Sequence, residues 1–305
     1  MVLFLAAFSV LPGQDTAPDQ SGSGLFPLNL LLDAALSGNI PWQPDWPVAM
    51  PPDGFTLNAG QAHSLTLTLP EDTALEYRIT RDAGGRFLEF PFFRGGTFYQ
   101  AMVVYDDTSP GRVSKITLDN PVVPDPWEFE FLEYTPDHPS LVRINAGGSW
   151  YFAVPEYLSR RTNETWYDPE GLVQAFFSLS FAGEKQLVSI ESRSGEGEAI
   201  LVYDYNSAGC ISGTPVGAAL YTAAARPRYW ERPEAHYTLQ WDEQGLLARQ
   251  MSSQDLDIRY EYTLDERLNW TERREISLTR HLGLLIPGAE VVIRRSIRYG
   301  DADND

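Results

Sequence analysis

From Tyr237 to Trp270 the chain reads YTLQWDEQGLLARQMSSQDLDIRYEYTLDERLNW, and its apolar positions recur at every second residue. Tyr237, Leu239 and Trp241 alternate with Thr238, Gln240 and Asp242; Asp242-Glu243-Gln244-Gly245 then breaks the run, and Leu246 starts another. A period of two predicts half-buried strands, and a polar break carrying Asp and Gly predicts the turn between them. After a second break at Ser252–Asp255 the alternation resumes through Leu256, Ile258, Tyr260, Tyr262 and Leu264. It closes at Asp265-Glu266-Arg267 and reopens at Asn269-Trp270-Thr271. The pattern is one of successive hairpins.

The same alternation predicts strands elsewhere. Ser64–Leu69 sets Leu65, Leu67 and Leu69 against Thr66 and Thr68, and Leu75–Thr80 leads into the turn Arg81–Gly85. Phe87–Phe93 and Thr97–Tyr105 flank Arg94-Gly95-Gly96, which has the glycines of a tight hairpin. Trp127, Phe129 and Phe131 alternate with Glu128, Glu130 and Leu132, and Ser149–Val154 follows Gly147-Gly148. At the end of the chain Val291, Ile293, Ile297 and Tyr299 share a face interrupted by Arg295, with Arg294 and Arg298 on the other. A last strand docking onto the sheet is expected there. One stretch departs from the period of two. In Leu25–Leu36, Leu28, Leu31, Leu32, Ala35 and Leu36 share a face at helical spacing, Pro27 suits a first turn, and Ser37-Gly38-Asn39 stops it. The fold class is therefore all-β, an antiparallel sheet of successive hairpins with one short N-terminal helix.

Ahead of that helix, Val2–Val10 is an apolar run followed by small and polar residues, which matches the hydrophobic region of a secretory signal. Only the terminal amine supplies positive charge before it, and no Cys follows it for lipid attachment. The run is too short to cross a bilayer as a helix, so no transmembrane segment is expected in the mature chain. A periplasmic, cell-surface or secreted location is expected, with Gln14–Gly24 as a flexible linker. Between Ile40 and Phe55 lie Pro41, Pro44, Pro47, Pro51 and Pro52, a pattern of extended backbone. Trp42 and Trp46 sit among them as the binding candidates: they either pin this strap to the domain or stack on a sugar or peptide.

Composition narrows the function. With 43% hydrophobic and 12% aromatic residues the 305-residue chain can build a real core, and its 22 Pro and 24 Gly suit many turns. A formal charge of −19 repels phosphate backbones and anionic lipid, which argues against nucleic acid as a partner. Cys210 is the one cysteine, so no intrachain disulfide forms; it is expected to act as a small hydrophobe rather than a nucleophile. His63, His138, His236 and His281 lack ligand spacing, so no metal site is expected. Gly195-Glu196-Gly197 lacks the third glycine of a dinucleotide fingerprint, and no cofactor is implied. Glu128 and Glu130 share a face and could be imagined as paired glycosidase acids, but a solvated strand face is the favoured account of them. Asn163-Glu164-Thr165 and Asn269-Trp270-Thr271 match the glycosylation sequon. Acidic turns at Asp106-Asp107 and Asp204 could take calcium, though turn capping needs no metal.

Several turns share one grammar: Tyr105-Asp106 with Gly111-Arg112; Trp166-Tyr167-Asp168-Pro169-Glu170-Gly171-Leu172; Val202-Tyr203-Asp204 with Gly209; Trp241-Asp242-Glu243-Gln244-Gly245-Leu246; and Tyr260-Glu261-Tyr262 with Asp265 and Asn269-Trp270. An aromatic anchors the strand, Asp caps the turn, and Gly takes the positive φ that closes it. Tyr167 and Tyr203 are 36 residues apart, and Tyr203 and Trp241 are 38 apart. This pattern resembles the YD, or RHS-type, repeats of bacterial cell-surface and secreted proteins, and more closely their short divergent versions in exported bacterial proteins. The resemblance spans Trp166–Tyr299. It departs from the family where the acidic residue is displaced to Asp265 and where Leu268 stands in place of Gly. Its units are also too few and too irregular for the closed shells of the long toxin members. What the resemblance implies is a sheet of hairpins without associated catalysis.

The expected organisation is thus a signal and linker at 1–24, a helix and Pro/Trp strap at 25–55, N-terminal hairpins at 56–120, a repeat-like antiparallel region at 127–300, and an acidic tail at 301–305. Asn120–Trp127, with Pro121, Pro124 and Pro126, marks the internal boundary. The sequence does not specify a biochemical activity. The first expectation is an exported, non-enzymatic binding or scaffolding protein of the bacterial envelope whose partner is an envelope protein or glycan. The alternatives are a carbohydrate-active hydrolase and a carrier of an apolar ligand.

Overall fold

The computed structural model describes residues 26–37, 62–68, 76–94, 97–109, 111–120, 123–136, 138–182, 186–194, 197–202, 204–205, 211–214, 217–222, 227–231 and 235–299. The signal-like run, the linker, the strap with Trp42 and Trp46, Tyr203, Cys210 and the acidic tail lie outside the described residues. The chain divides into two units, one comprising residues 1–49 and 86–203, the other 50–85 and 204–305.

In the first unit ten strands follow one another in chain order, each antiparallel to the next: Phe87–Arg94, Thr97–Tyr105, Val113–Asn120, Val123–Tyr134, Pro139–Ala146, Ser149–Leu158, Arg161–Tyr167, Val173–Ala182, Gln186–Ser194 and Gly197–Val202. The proline-rich 120–127 stretch lies within this series, and Asn120 faces Val123 across a hairpin. Because side chains alternate, register decides what touches what. One buried row runs Val103, Ile116, Phe129, Ile144 across four adjacent strands. A second runs Phe131, Val142, Ala153, Trp166, Ala175. The alanines on either side of Trp166 leave the width that its indole occupies, as close packing requires.

The helix of this unit is Leu28–Ser37, and its first turn begins at the Pro27 carbonyl, which accepts from Leu30 N at 3.2 Å. Leu28, Leu31, Leu32, Ala34 and Ala35 are buried, while Leu36 is 42% exposed. The expected apolar face is thus shifted. Ala34 takes the inner position, and Leu36 falls just past the edge of the buried arc.

In the second unit the strand Ala62–Thr68 pairs on one side with Glu76–Arg81 and on the other with Leu284–Tyr299. From there the antiparallel order runs back along the chain through Trp270–His281, Asp257–Leu264, Leu247–Ser252, His236–Trp241, Pro227–Glu231, Gly217–Tyr221 and Ile211–Thr214 to Asp204–Tyr205. The last strand docks as expected, seated between its own hairpin partner and an early strand of the chain.

One turn form recurs in both units and explains the acidic bends. At Asp242–Leu246 the Gly245 amide donates to the Asp242 carbonyl at 3.1 Å, the Leu246 amide to Asp242 Oδ1 at 2.8 Å, and Asp242 N to the Leu246 carbonyl at 2.9 Å. Asp168–Leu172 repeats these bonds at 3.0, 2.8 and 2.9 Å, and Asp265–Asn269 at 3.0, 2.9 and 2.8 Å. This is a type I turn followed by a left-handed residue and a bulge. The left-handed position is Gly245 (φ 84°) or Gly171 (φ 83°), but in the third turn it is Leu268 (φ 60°).

Candidate functional site

Two polar clusters stand out, one within each unit. In the first unit the strand Arg161–Tyr167 turns Thr162, Glu164 and Trp166 to the buried face. Glu164 is fully buried at the N-terminus of the helix. Its Oε1 accepts from Leu28 N at 2.9 Å and Trp166 Nε1 at 2.5 Å, and its Oε2 accepts from Asn29 N at 3.4 Å and Asn29 Nδ2 at 2.9 Å. A helix begins with amides that have no partner inside it, and its dipole favours negative charge there. No acidic residue lies in the first turn of this helix, so a strand 136 residues away supplies the carboxylate.

Burial pushes the Glu164 carboxyl up to about 7, opposed by the N–H groups of Leu28, Trp166 and Asn29. Tyr157 donates to Asn29 Oδ1 at 2.8 Å, and its own hydroxyl is pushed upward by burial and by Glu164. At the other end of the helix the Tyr105 hydroxyl lies 3.1 Å from the Ala35 carbonyl and 3.0 Å from that of Phe87. Phe26, just before the helix, packs on Phe92, Trp127 and Phe129 at 5.5, 5.9 and 5.8 Å between rings. Strand side chains therefore hold the helix at both ends.

In the second unit Trp270 is 1% exposed, with the Arg295 guanidinium 4.0 Å above its ring and that of Arg273 at 5.5 Å. Arg273 also lies 5.6 Å from the Tyr260 ring and pairs with Glu275 at 2.7 Å. Arg295 Nε donates to the Trp270 carbonyl. Guanidinium groups lie well on indole faces because they are planar and weakly hydrated. Beside this stack the Tyr299 hydroxyl donates to Asp265 and accepts from Asn269 Nδ2 at 2.7 Å. Burial would raise the Asp265 carboxyl, but bonds from Tyr299, Asn269 and Arg267 outweigh it and hold the group below its usual range.

The other sequence candidates do not converge. Glu128 pairs with Lys115 at 2.5 Å and Glu130 with Arg143, each on a neighbouring strand and each partly exposed. His138 stacks on Tyr157 at 4.2 Å, His236 on Tyr229 at 6.1 Å, and His281 is exposed. Asp106 accepts from Thr108 N at 2.8 Å and Thr108 Oγ1 at 2.7 Å, and these bonds hold its carboxyl low. Among the described residues no three His, Cys, Asp or Glu gather into a metal-binding group. Asn163 of the first sequon is engaged by Glu156 and Ser178, and Asn269 of the second is fully buried.

In the sequence Glu164 stands out only as a sequon residue, and Arg273 carries no local signature. The signal for Glu164 was its inward register between Thr162 and Trp166. For Arg295 it was the interruption of an apolar face.

No family model matches the chain, and no curated protein matches it. Solved structures similar to it include a porin-like protein from Bacteroides uniformis, 11% identical, with a TM-score of 0.32 over 78% of this chain and 98% of that one. A porin-like protein from Bacteroides vulgatus is 10% identical, with a TM-score of 0.31 over 79% and 98%. A third, TcdB2-TccC3 without its hypervariable C-terminal region, is 14% identical, with a TM-score of 0.34 over 67% of this chain and 12% of that one. No helix among the described residues is long and apolar enough to cross a membrane.

Proposed function

We propose that the chain is an exported, non-enzymatic β-sheet protein of the bacterial envelope that binds or scaffolds an envelope protein or glycan, with Trp42 and Trp46 as the aromatic contacts. The observation that carries this is where the carboxylates go. Glu128, Glu130, Asp257 and Glu290 pair with Lys115, Arg143, Arg249 and Arg274 on adjacent strands, and Glu164 caps a helix. A hydrolase needs two carboxyls facing one substrate. Among the described residues these carboxylates are each taken up by a cation on an adjacent strand or by the helix. The large rings of Phe87, Phe90, Phe129, Trp166 and Trp270 are buried, so they serve packing.

The test is incubation of the purified full chain with insoluble cell-wall glycans, reading co-sedimentation and release of reducing sugar together. Sedimentation without release, weakened in Trp42→Ala/Trp46→Ala, is the expected result. Sugar release that disappears in Glu128→Gln or Glu130→Gln overturns the proposal in favour of a hydrolase. Fractionation of the native host tests the location, which a cytoplasmic pool of mature chain would contradict.

A further inference from the structure

The hairpin of Trp270–His281 and Leu284–Tyr299 outreaches the sheet it belongs to. Pairing of the first strand with Asp257–Leu264 stops at Ser277, and pairing of the second with Ala62–Thr68 begins at Arg294. Among the described residues the outer part of the hairpin pairs only with itself: Leu278 with Pro287, Thr279 with Ile286, Arg280 with Leu285, His281 with Leu284. Every residue from Thr279 to Glu290 is exposed.

A ribbon with both faces in water is ordinarily polar, but the end of this one is not. Leu282 is 90% exposed, Leu284 69%, Leu285 40% and Ile286 45%. Exposed apolar side chains that cluster mark a contact surface, whereas scattered ones need no account. The apex is also conformationally unfavourable. Leu282 (φ 49°) and Gly283 (φ 82°) form a two-residue turn with positive φ at both positions, the first of which normally takes Asn, Asp or Gly. Neither turn chemistry nor burial accounts for a leucine there.

The charge of the arm differs from that of the protein. Between Glu275 and Glu290 there is no Asp or Glu, and Arg280 and His281 are present, in a chain of net charge −19. We propose that this arm is a lipid-contact element, in which Leu282, Leu284, Leu285 and Ile286 enter the boundary layer of a phospholipid bilayer while Arg280, opposite Leu285, extends its guanidinium back to the level of the phosphates. Register puts Leu284 and Ile286 on one face of the ribbon and Leu285 on the other. A fluid apolar layer can cover both faces of a projecting tip, whereas a protein groove covers one. Arg280 has an aliphatic stem that lies along apolar surface while its guanidinium reaches outward. Insertion is shallow: three residues below the apex at about 3.3 Å each reach about 10 Å, the depth of the headgroup boundary. Deeper entry is barred because the outer edges of both strands carry backbone groups without a strand partner among the described residues. The acidic remainder of the chain opposes anionic surfaces, so the element suits an electrically neutral bilayer best.

This deepens the envelope role by naming a partner, and it is testable on purified chain regardless of cellular location, so the two can fail separately. The experiment is flotation of the full chain with phosphatidylcholine vesicles, and with the same vesicles containing added phosphatidylglycerol. The wild type is expected to float, more on the neutral vesicles. Leu282→Asp/Leu284→Asp should lower the partition at least about tenfold, since two buried leucines become two charges. Leu172→Asp, which removes another exposed leucine (64%) from a turn of the other unit, should leave it unchanged. Both variants should keep the thermal unfolding of the parent, because the sites are exposed. Absence of wild-type flotation, or equal flotation of the double variant, overturns the proposal. So does concentration-dependent self-association that the double variant abolishes without any vesicle binding, which would make the tip a contact between copies.

Discussion

In the first unit Trp166 lies between Ala153 and Ala175 and gives its indole N–H to Glu164; in the second, Trp270 lies under Arg295 and beside Arg273. Both are tryptophans on inward positions of a strand, and both have buried charge as a neighbour. The charges differ in sign, and so does what they hold. A carboxylate at the edge of an indole meets helix amides and so recruits a segment from outside the sheet. A guanidinium over an indole face comes from the last strand and donates to the carbonyl of Trp270, so it fastens one strand to the next. The same strand grammar thus accepts two kinds of filling, and the polar neighbour decides which.

The largest expected effect comes from removing either ring. Trp166→Ala and Trp270→Ala should each cost about 3–5 kcal/mol in urea unfolding, the range for deleting a buried aromatic. Phenylalanine separates the two sites. Trp166→Phe keeps most of the volume but takes a donor from a buried carboxylate, an expected loss of about 1–3 kcal/mol with faster amide exchange at Leu28 and Asn29. Trp270→Phe leaves an aromatic face for Arg295 and should cost less. Equal losses at both positions would mean that the indole N–H of Trp166 contributes nothing to holding the helix.

The next effect is in pH, and here the units should move in opposite directions. Glu164 has a native pKa of about 7 against an ordinary 4.5, so between those values the folded state binds more protons than the unfolded chain. Its contribution to stability is greatest below 4.5 and falls as pH rises through the window, by about 3 kcal/mol at most. Asp265 is held below its ordinary 3.8; its stabilisation is fully present above that value and is lost as pH falls through the native pKa. Subtracting the pH profile of Glu164→Gln from that of wild type isolates the first slope. Asp265→Asn isolates the second. A flat difference for Glu164→Gln from pH 4.5 to 7 would show that the donors of Leu28, Asn29 and Trp166 fully offset the burial of the charge.

Much of the sheet was legible because its code is local. Alternation at Tyr237–Trp241 and Ile258–Tyr262 reports its own burial, and Asp242 with Gly245 reports its own turn. The helix is legible too, but helical spacing alone puts Leu36 inward, because it does not contain the width of the arc that the sheet can cover. The helix cap was not legible. Glu164 and Leu28 are 136 residues apart, and nothing near either one names the other. Arg295 interrupts the apolar face of its strand in the sequence and is part of the core in the structure, since a guanidinium over an indole can occupy an apolar position. Arg273 gives no signal, because an arginine beside half-exposed Arg274 reads as one of a solvated pair until register is known.

Turns offer smaller effects and a finer comparison. Asp168→Ala and Asp242→Ala each remove a side-chain acceptor for an amide four residues on, and about 1 kcal/mol is expected from each. Asp168 Oδ2 also accepts from Gln174 Nε2 at 2.7 Å, so Asp168→Ala should cost the more, and equal losses would mean that the Gln174 bond adds nothing to the cap.

Leu268 tests the same turn from the other side. It occupies the left-handed position that Gly171 and Gly245 hold elsewhere, and it is 61% exposed, so little burial offsets the strained backbone. Leu268→Gly should therefore stabilise the second unit by about 0.5–1 kcal/mol, whereas Gly245→Ala should destabilise it by about as much. Glycine also loses more backbone freedom on folding, which pulls the gain toward the lower figure. The sign still follows from φ, because a β-carbon in this conformation meets its own backbone whatever lies around it. A Leu268→Gly variant that unfolds at lower urea than wild type would mean that the contacts of Leu268 outweigh its strain, and the third turn would then be held by its side chain rather than by the shared geometry.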